Sequence, residues 1–276
     1  MAVRPYLAER QYGVIRSVTG AGQLIAATLP VMSYSLAAIR ALTRPIGDLG
    51  GRWMLHPEVL DPARAAGYRN GFLYYVAGRG GVLGDVEADV VSSAFGFFAP
   101  ALMRKMWNEG IAVEGARASA TRYGAACAQF GRTRLAGFAA TERLAELAGR
   151  VAGGVDDSGL ALFAGWRAEP RPSDSEGRAY FLLHVLRELR GGVHLLAVVA
   201  SGLTPLEAVL ASSGEANAMR FGWTGPFPTV DAGARARAED LTDRVLARLY
   251  SAVLSDAETE ELATLVNGVA GHVGMP

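Results

Sequence analysis

The chain has one cysteine among its 276 residues and no excess charge of either sign, with 27 basic and 27 acidic residues. A single cysteine, Cys127, cannot form an internal disulfide, and no cysteine and histidine cluster has the spacing of a structural zinc site. Balanced charge also removes the general attraction to phosphate backbones that dedicated nucleic-acid binders carry. These absences favour a cytoplasmic protein and disfavour bulk affinity for DNA or RNA.

Common catalytic and cofactor motifs are also missing. The chain has no nucleophile elbow, no phosphate-binding P-loop and no metalloprotease motif, so we expect neither a cofactor nor a metal ion. The glycine-rich stretch 78–84 follows a predicted helix rather than a strand, which excludes a dinucleotide-binding loop. It predicts instead a corner between two helices, with Asp85 capping the second.

Alternating β-branched runs are almost absent, whereas helical periodicity and helix punctuation recur along the whole chain. We therefore predict an all-α protein: a single compact multi-helix domain over 50–276 with an N-terminal helical arm over 1–49. A loop is predicted at 43–57, and Thr141, Thr204 and Ser255 are predicted helix caps. The predicted helices span about 5–28, 31–43, 61–76, 86–98, 100–108, 113–130, 141–153, 158–167, 175–201, 205–212, 231–253 and 256–269.

One uncharged stretch, 17–39, is long enough to cross a bilayer, but its glycine, proline and serine residues make it too polar for a stable membrane span. A buried or partner-facing helix is the better interpretation. Because an unpartnered apolar arm would leave a large exposed patch, we expect a homodimer with this arm in the interface.

The longest predicted helix carries a basic face. At about 100° per residue, His184, Arg187, Arg190, Gly191 and His194 share one arc, opposite an apolar arc. A glycine in the middle of a helix costs roughly 1 kcal/mol relative to alanine, which indicates close approach of another group. The arc is either a solvated face or helix break, or a face that recognises an anion or carbonyl group.

In the functional interpretation, Arg187, with Arg190 or Arg79, holds a carboxylate, phosphate or enolate oxygen, while His194 or His184 transfers a proton.

Glu188 or Asp85 would orient the histidine, and His56 would add a polar group. The alternative is a buried Arg–Glu–His network that fixes helix packing without a ligand. His184 and Glu188 are also four residues apart, a spacing that could bind a divalent metal, but a buried ion pair explains it more simply.

A helix-turn-helix can be drawn at 204–223, with a turn at Ser212–Gly214. Its second helix carries Asn217 and Arg220 beside Glu215, which are few side chains for contacting bases or phosphates. No β-hairpin wing follows. DNA is therefore a possible but disfavoured partner.

Four segments carry a family resemblance: Gly51–Pro57, Tyr75–Val86, His184–His194 and Phe221–Pro228. From Gly50 onward the chain resembles the actinobacterial family named for SalK and EvbL, which is described as helix-turn-helix or MarR-like. The resemblance implies a helical fold and a helix-turn-helix at 204–223. It also singles out Arg52, His56, Arg79, Asp85, Arg187, Glu188, Arg190 and His194.

Two functions follow from these observations. The first is a cytosolic small-molecule-binding protein that recognises an anionic or carbonyl-containing ligand, either as a binding protein alone or as an acid–base enzyme of specialised metabolism. The second is a MarR-like DNA-binding regulator. Neutral charge and the missing wing favour the first, while the family label and the turn favour the second.

Overall fold

A computed structural model of the chain describes residues 36–274, and within them the chain is helical and contains no strand. The all-α prediction is confirmed. The predicted arm helix 5–28 and most of the stretch 17–39 lie outside the described residues, so the homodimer expected through that arm stays a prediction. The helices are α1 (Leu36–Arg52), α2 (Pro57–Ala65), α3 (Gly71–Gly80), α4 (Ala88–Phe95), α5 (Pro100–Glu114), α6 (Ala116–Arg134), α7 (Thr141–Gly154), α8 (Ala161–Ala168), α9 (Ser175–Ala200), α10 (Pro205–Arg220), α11 (Ala232–Ser251) and α12 (Asp256–His272).

The long helix α9 lies at the centre of the described body. It packs against α1, α6, α7, α8 and α11. Along its first four turns, buried side chains occur all around the helix. Asp174 caps its start by accepting a hydrogen bond from the backbone N–H of Gly177 at 2.8 Å. Because so many helices meet on α9, side chains from distant parts of the sequence converge on its surface.

The predicted loop over 43–57 is wrong for most of its length, because α1 continues through Pro45 to Arg52. A buried stripe of aliphatic residues holds the helix against the core, which outweighs the local cost of proline. Pro45 has no N–H for the carbonyl of Ala41, and the side-chain amide of Asn267 on α12 donates to that carbonyl instead, at 3.0 Å. The expected domain boundary between residues 49 and 50 therefore falls inside α1.

The predicted single helix over 61–76 is two helices. Gly67, with φ +108°, ends α2 in a left-handed turn, and the side chain of Asn70 caps α3. The predicted corner at 78–84 also differs, because α3 continues to Gly80. Gly78 is required for close packing rather than for positive φ: a Cβ there would lie 2.5 Å from the ring of Tyr123 on α6.

Two of the predicted capping boxes are confirmed, at Thr204 and Ser255, where each hydroxyl and its glutamate three residues later satisfy both backbone donors. Two simpler caps are wrong. Ala140, not Thr141, occupies the cap position of α7, and Asp85 lies in the loop before α4, too far upstream to cap it.

The axes of α9 and α10 lie at 107° to each other across a four-residue turn, 201–204. Gly202, with φ +80°, lets the backbone N–H of Leu203 reach the carbonyl of Val198 at 3.1 Å, which ends α9. The backbone of α10 then breaks at Gly214, where φ is +74°. No single helix in the described part of the chain is both long and apolar enough to cross a membrane; α9 and α10 meet that criterion only as a bent pair.

Candidate functional site

A buried, bidentate ion pair between Arg79 and Glu188 joins α3 to α9. The Nε and Nη2 atoms of Arg79 donate to the two carboxylate oxygens of Glu188, both at 2.8 Å, and Nη1 donates to the hydroxyl of Tyr75 at 3.0 Å. Burial alone would lower the pKa of Arg79, but the attraction of Glu188 outweighs it and raises that pKa. Burial likewise opposes charge on Glu188, yet Arg79 and Arg187 hold its pKa well below the usual range. Both groups are therefore charged.

Arg187 is a second guanidinium on the same carboxylate. Its Nη1 donates to Oε1 of Glu188 at 2.7 Å, and its side chain is 24% exposed. The stem of Arg187 packs on Gly50 of α1, where a Cβ would lie 2.5 Å from the Cβ of Arg187. Two guanidiniums thus share one carboxylate, which leaves a surplus positive charge at the middle of α9.

His184 is completely buried, edge-on to the rings of Trp53 and Trp166. Neither ring nitrogen has a hydrogen-bond partner among the described residues, and Nδ1 lies 3.9 Å from Oε1 of Glu188. Burial lowers the pKa of His184 to about 3 despite the nearby carboxylate, so the ring is neutral. Within residues 36–274 no group of three or more acidic, histidine or cysteine side chains is arranged to hold a metal ion.

His194 sits two turns beyond Arg187 and is 19% exposed. The hydroxyl of Thr242 donates to the carbonyl of Ala238 at 2.7 Å, so it accepts from Nδ1 of His194 at 3.0 Å. That bond leaves the lone pair on Nε2, which lies 3.9 Å from Oε1 of Glu239. Burial lowers the pKa of His194, with Glu239 opposing it, so the ring is neutral near pH 7 and can accept a proton at Nε2.

A cavity of about 1550 Å³ lies along α9 and is also lined by residues of α3, α4, α8, α10 and α11. Largely apolar cavities with a few convergent charged groups are typical of small-molecule sites. Its aromatic lining consists of Tyr75, Phe95, Phe97, Phe98, Phe163, Phe221 and Trp223. Its charged lining consists of Arg79, Arg104, Arg187, Arg235, Asp89 and Glu239.

Gly191 lies on the cavity side of α9 between Arg187 and His194. A Cβ added there would meet nothing within 4 Å among the described residues, whereas one at Gly192 would lie 2.9 Å from Leu160. Gly192 is therefore required for packing and Gly191 is not. The open space over Gly191 belongs to the cavity.

The other predicted site residues lie elsewhere. Arg52 and His56 line a separate pocket of about 80 Å³, and Asp85 is exposed and does not line the large cavity. Arg190 donates to Glu239 at 3.2 Å without lining the cavity. The structure thus brings Arg79, Arg187 and His194 to one cavity. Glu188 is buried against the two arginines, and His184 is buried and does not line the cavity.

The sequence did not predict the aromatic lining of the cavity or the residues that contact His194. The run Phe95–Phe98 was a usable signal, since three phenylalanines around a glycine are unusual outside a core. Thr242 and Glu239 gave no signal, because their role depends on how α11 packs against α9.

The described body is all-helical, and its perpendicular pair α9 and α10 is joined by a short glycine-containing turn, an arrangement that also occurs in helix-turn-helix proteins. A sequence profile described as a helix-turn-helix family matches residues 39–227, about two thirds of the chain. The chain belongs to this helix-turn-helix family. The match includes α3 and α9, and with them Arg79, Glu188 and most of the cavity lining, but not the lining residues Arg235, Ala238 and Glu239 of α11. No curated protein sequence and no solved structure matches the chain. The finer resemblance to SalK and EvbL stays a prediction.

Replacing Arg79 is expected to destabilise the fold far more than replacing Arg187. Arg79→Met leaves Glu188 buried with one partner, which costs about 3 to 5 kcal/mol. Arg187→Met leaves both Arg79 bonds to Glu188 intact and costs about 1 kcal/mol, because the lost pair is partly exposed. Urea unfolding of the two variants measures the difference, and equal losses would contradict this assignment.

His184→Leu is expected to reduce the acid sensitivity of the protein. Because the folded-state pKa of about 3 lies below the usual 6.5, the unfolded state binds the extra proton, and stability falls as pH drops below 6.5. One such proton changes the unfolding free energy by about 1.4 kcal/mol per pH unit. Because the unfolded-state histidine is only partly protonated over much of this range, the loss of stability between about pH 7 and pH 5 sums to about 2 kcal/mol, and urea unfolding of the variant should lack it. An unchanged slope would mean that His184 is protonated in the folded protein.

Proposed function

We propose that this helix-turn-helix family protein binds a small molecule in the cavity along α9, and that Arg187 and His194 are its main polar contacts. The observation that carries the proposal is the open space over Gly191, flanked by an incompletely neutralised guanidinium and an imidazole held in one tautomer. This combination is suited to an anionic or carbonyl-containing ligand.

The two polar groups have different roles in the proposal. Arg187 holds a ligand oxygen through the N–H groups that Glu188 does not use. His194 accepts or donates a proton at Nε2, with Thr242 keeping the ring in place. If the protein is an enzyme, His194 is the proton-transfer residue. The Arg79–Glu188 pair then positions Arg187, which donates to the same carboxylate.

A purely structural role does not account for Gly191. Alanine would fit there and would stabilise the helix by about 1 kcal/mol, so packing gives no reason for glycine. Arg187 is likewise unnecessary for neutralising Glu188, which Arg79 already binds through both oxygens. Both features are explained if a ligand occupies the cavity.

Gly191→Trp is expected to abolish binding of a neutral apolar probe while preserving the fold, because the indole would fill the space beside α9. The probe is N-phenyl-1-naphthylamine, whose fluorescence rises in apolar surroundings. The unmodified chain should bind it with a saturable signal, and the variant should lose at least about tenfold in affinity, equivalent to 1.4 kcal/mol.

The control is Gly271→Trp on α12, where a Cβ also meets nothing within 4 Å and which is remote from the cavity lining. That variant should bind the probe as the unmodified chain does. Failure of the unmodified chain to bind the probe, or equal binding by both variants, would refute the proposed cavity site.

DNA binding is a second candidate, favoured by membership of the helix-turn-helix family. The helical segment after Gly214 carries Asn217 and Arg220, and Arg220 is exposed. An amide can read an adenine edge and a guanidinium can contact guanine or phosphate. The neutral net charge predicts that any such binding is weak at physiological salt.

A gel-shift titration with DNA from upstream of the coding sequence tests this candidate at low and moderate salt. Arg220→Ala should weaken binding and reduce the salt dependence by about one phosphate contact, whereas Asn217→Ala should reduce sequence preference. No shift even at low salt would count decisively against the DNA-binding function.

A further inference from the structure

We infer that the ligand of this cavity is an amphiphilic organic anion: an acidic head group beside Arg187 and an extended apolar body lying along α9 toward α10. The inference rests on the proposed function, since it names the class of ligand that the same cavity takes. Three observations support this inference: the surplus positive charge at Arg187, the apolar lining beyond it, and the length of that apolar surface.

The charge balance identifies the head-group end. Arg79 and Arg187 share the single carboxylate of Glu188, so one positive charge at the cavity wall has no partner of its own among the described residues. A partly buried, uncompensated charge is costly, and an anionic ligand group offsets that cost. Arg187 is the accessible member of the pair, since Arg79 is buried and uses Nε, Nη1 and Nη2 on Glu188 and Tyr75.

The other charged groups of the cavity do not form an equivalent site. Arg104 is paired with Asp89, and both are exposed. Arg235 is exposed, so water already solvates its charge and an anionic ligand gains little there. A single anionic group is therefore expected, at the Arg187 end.

The part of the cavity lining that α9 and α10 provide beyond His194 is apolar up to Val209. Between residues 195 and 209 every lining side chain is a hydrocarbon, from α9 across the turn into α10. Two of them, Leu196 and Val199, are 50% and 60% exposed and lie one turn apart on α9, so together they form an exposed apolar patch. A ligand with a long apolar body would cover them.

The length of this surface sets the size of the ligand. Arg187 and Val199 are twelve residues apart on one helix, on the order of 18 Å at 1.5 Å per residue. A cavity of about 1550 Å³ also exceeds the usual range for drug-sized ligands, about 300 to 1,000 Å³. A small aromatic acid would leave most of this surface uncovered, whereas a long-chain acid would span it.

The test is displacement of N-phenyl-1-naphthylamine by octanoate, decanoate, dodecanoate and tetradecanoate, each below its micelle concentration, and by the matching primary alcohols. Affinity should rise by about fourfold for each added methylene while the chain remains within the cavity. Each acid should bind at least about fivefold more tightly than its alcohol, the strength of a charge-assisted contact.

Two variants locate the ends of the ligand. Arg187→Met should abolish the preference for acid over alcohol and keep the dependence on chain length. Val199→Asp should weaken tetradecanoate by about tenfold and leave octanoate unchanged, because only the longer chain reaches that residue. Val245→Asp on α11, a partly exposed valine outside the cavity lining, is the matched control and should change neither acid.

The outcomes separate this inference from the proposed function. If the probe binds and Gly191→Trp blocks it, but acids and alcohols compete equally or longer chains bind no better, the cavity binds a ligand of another class and the inference is wrong. If an acid preference survives in Arg187→Met, the head group lies elsewhere and the inference is also wrong. If the probe does not bind the unmodified chain at all, the proposed function and the inference fail together.

Discussion

The bidentate pair between Arg79 and Glu188 is the interaction on which the rest of the site depends. It joins α3 to α9 through two hydrogen bonds of 2.8 Å between two buried side chains. Charges buried in this way are tolerated only when their geometry is good and their remaining atoms are satisfied, which the hydroxyl of Tyr75 and the guanidinium of Arg187 achieve. The pair therefore fixes how α3 sits on α9, and with it the position of the cavity wall.

Close helix packing provides the second constraint. Gly78 and Gly110 leave no room for a side chain, because added Cβ atoms would lie 2.5 Å from Tyr123 and 2.9 Å from the carbonyl of Leu73. The helices α3, α5 and α6 can therefore approach one another closely, while the guanidinium of Arg79 is buried against Phe95 of α4 and Glu188 of α9. A glycine-rich sequence of this kind builds a dense core from short helices rather than a set of flexible loops.

The helices that are set by local signals could be predicted from the sequence, and those set by distant contacts could not. Periodicity placed α7 and α9 within a few residues, and periodicity together with the Ser255 capping box placed α12. Pro45 misled the prediction at α1, because the compensating amide comes from Asn267, far along the chain. The helical arc correctly grouped Arg187, Gly191 and His194, but it could not show that His184 on the same arc is enclosed by Trp53 and Trp166. A helical arc predicts which side chains share one face of a helix. It does not predict which residues of other helices pack against that face.

Arg79 and Arg187 share the carboxylate of Glu188 but depend on it differently. The packing of the helices and the chemistry of the cavity, which usually change together in a buried site, are therefore separable here. Arg79 and Glu188 constrain each other, so in related sequences a change at one is tolerated only with a compensating change at the other. Arg187 is free of that constraint, because Glu188 keeps both of its bonds to Arg79 when Arg187 is replaced. Among the descendants of one ancestral sequence, position 187 can therefore vary one substitution at a time, and the chemistry of the cavity can diverge while the helices beneath it stay in place.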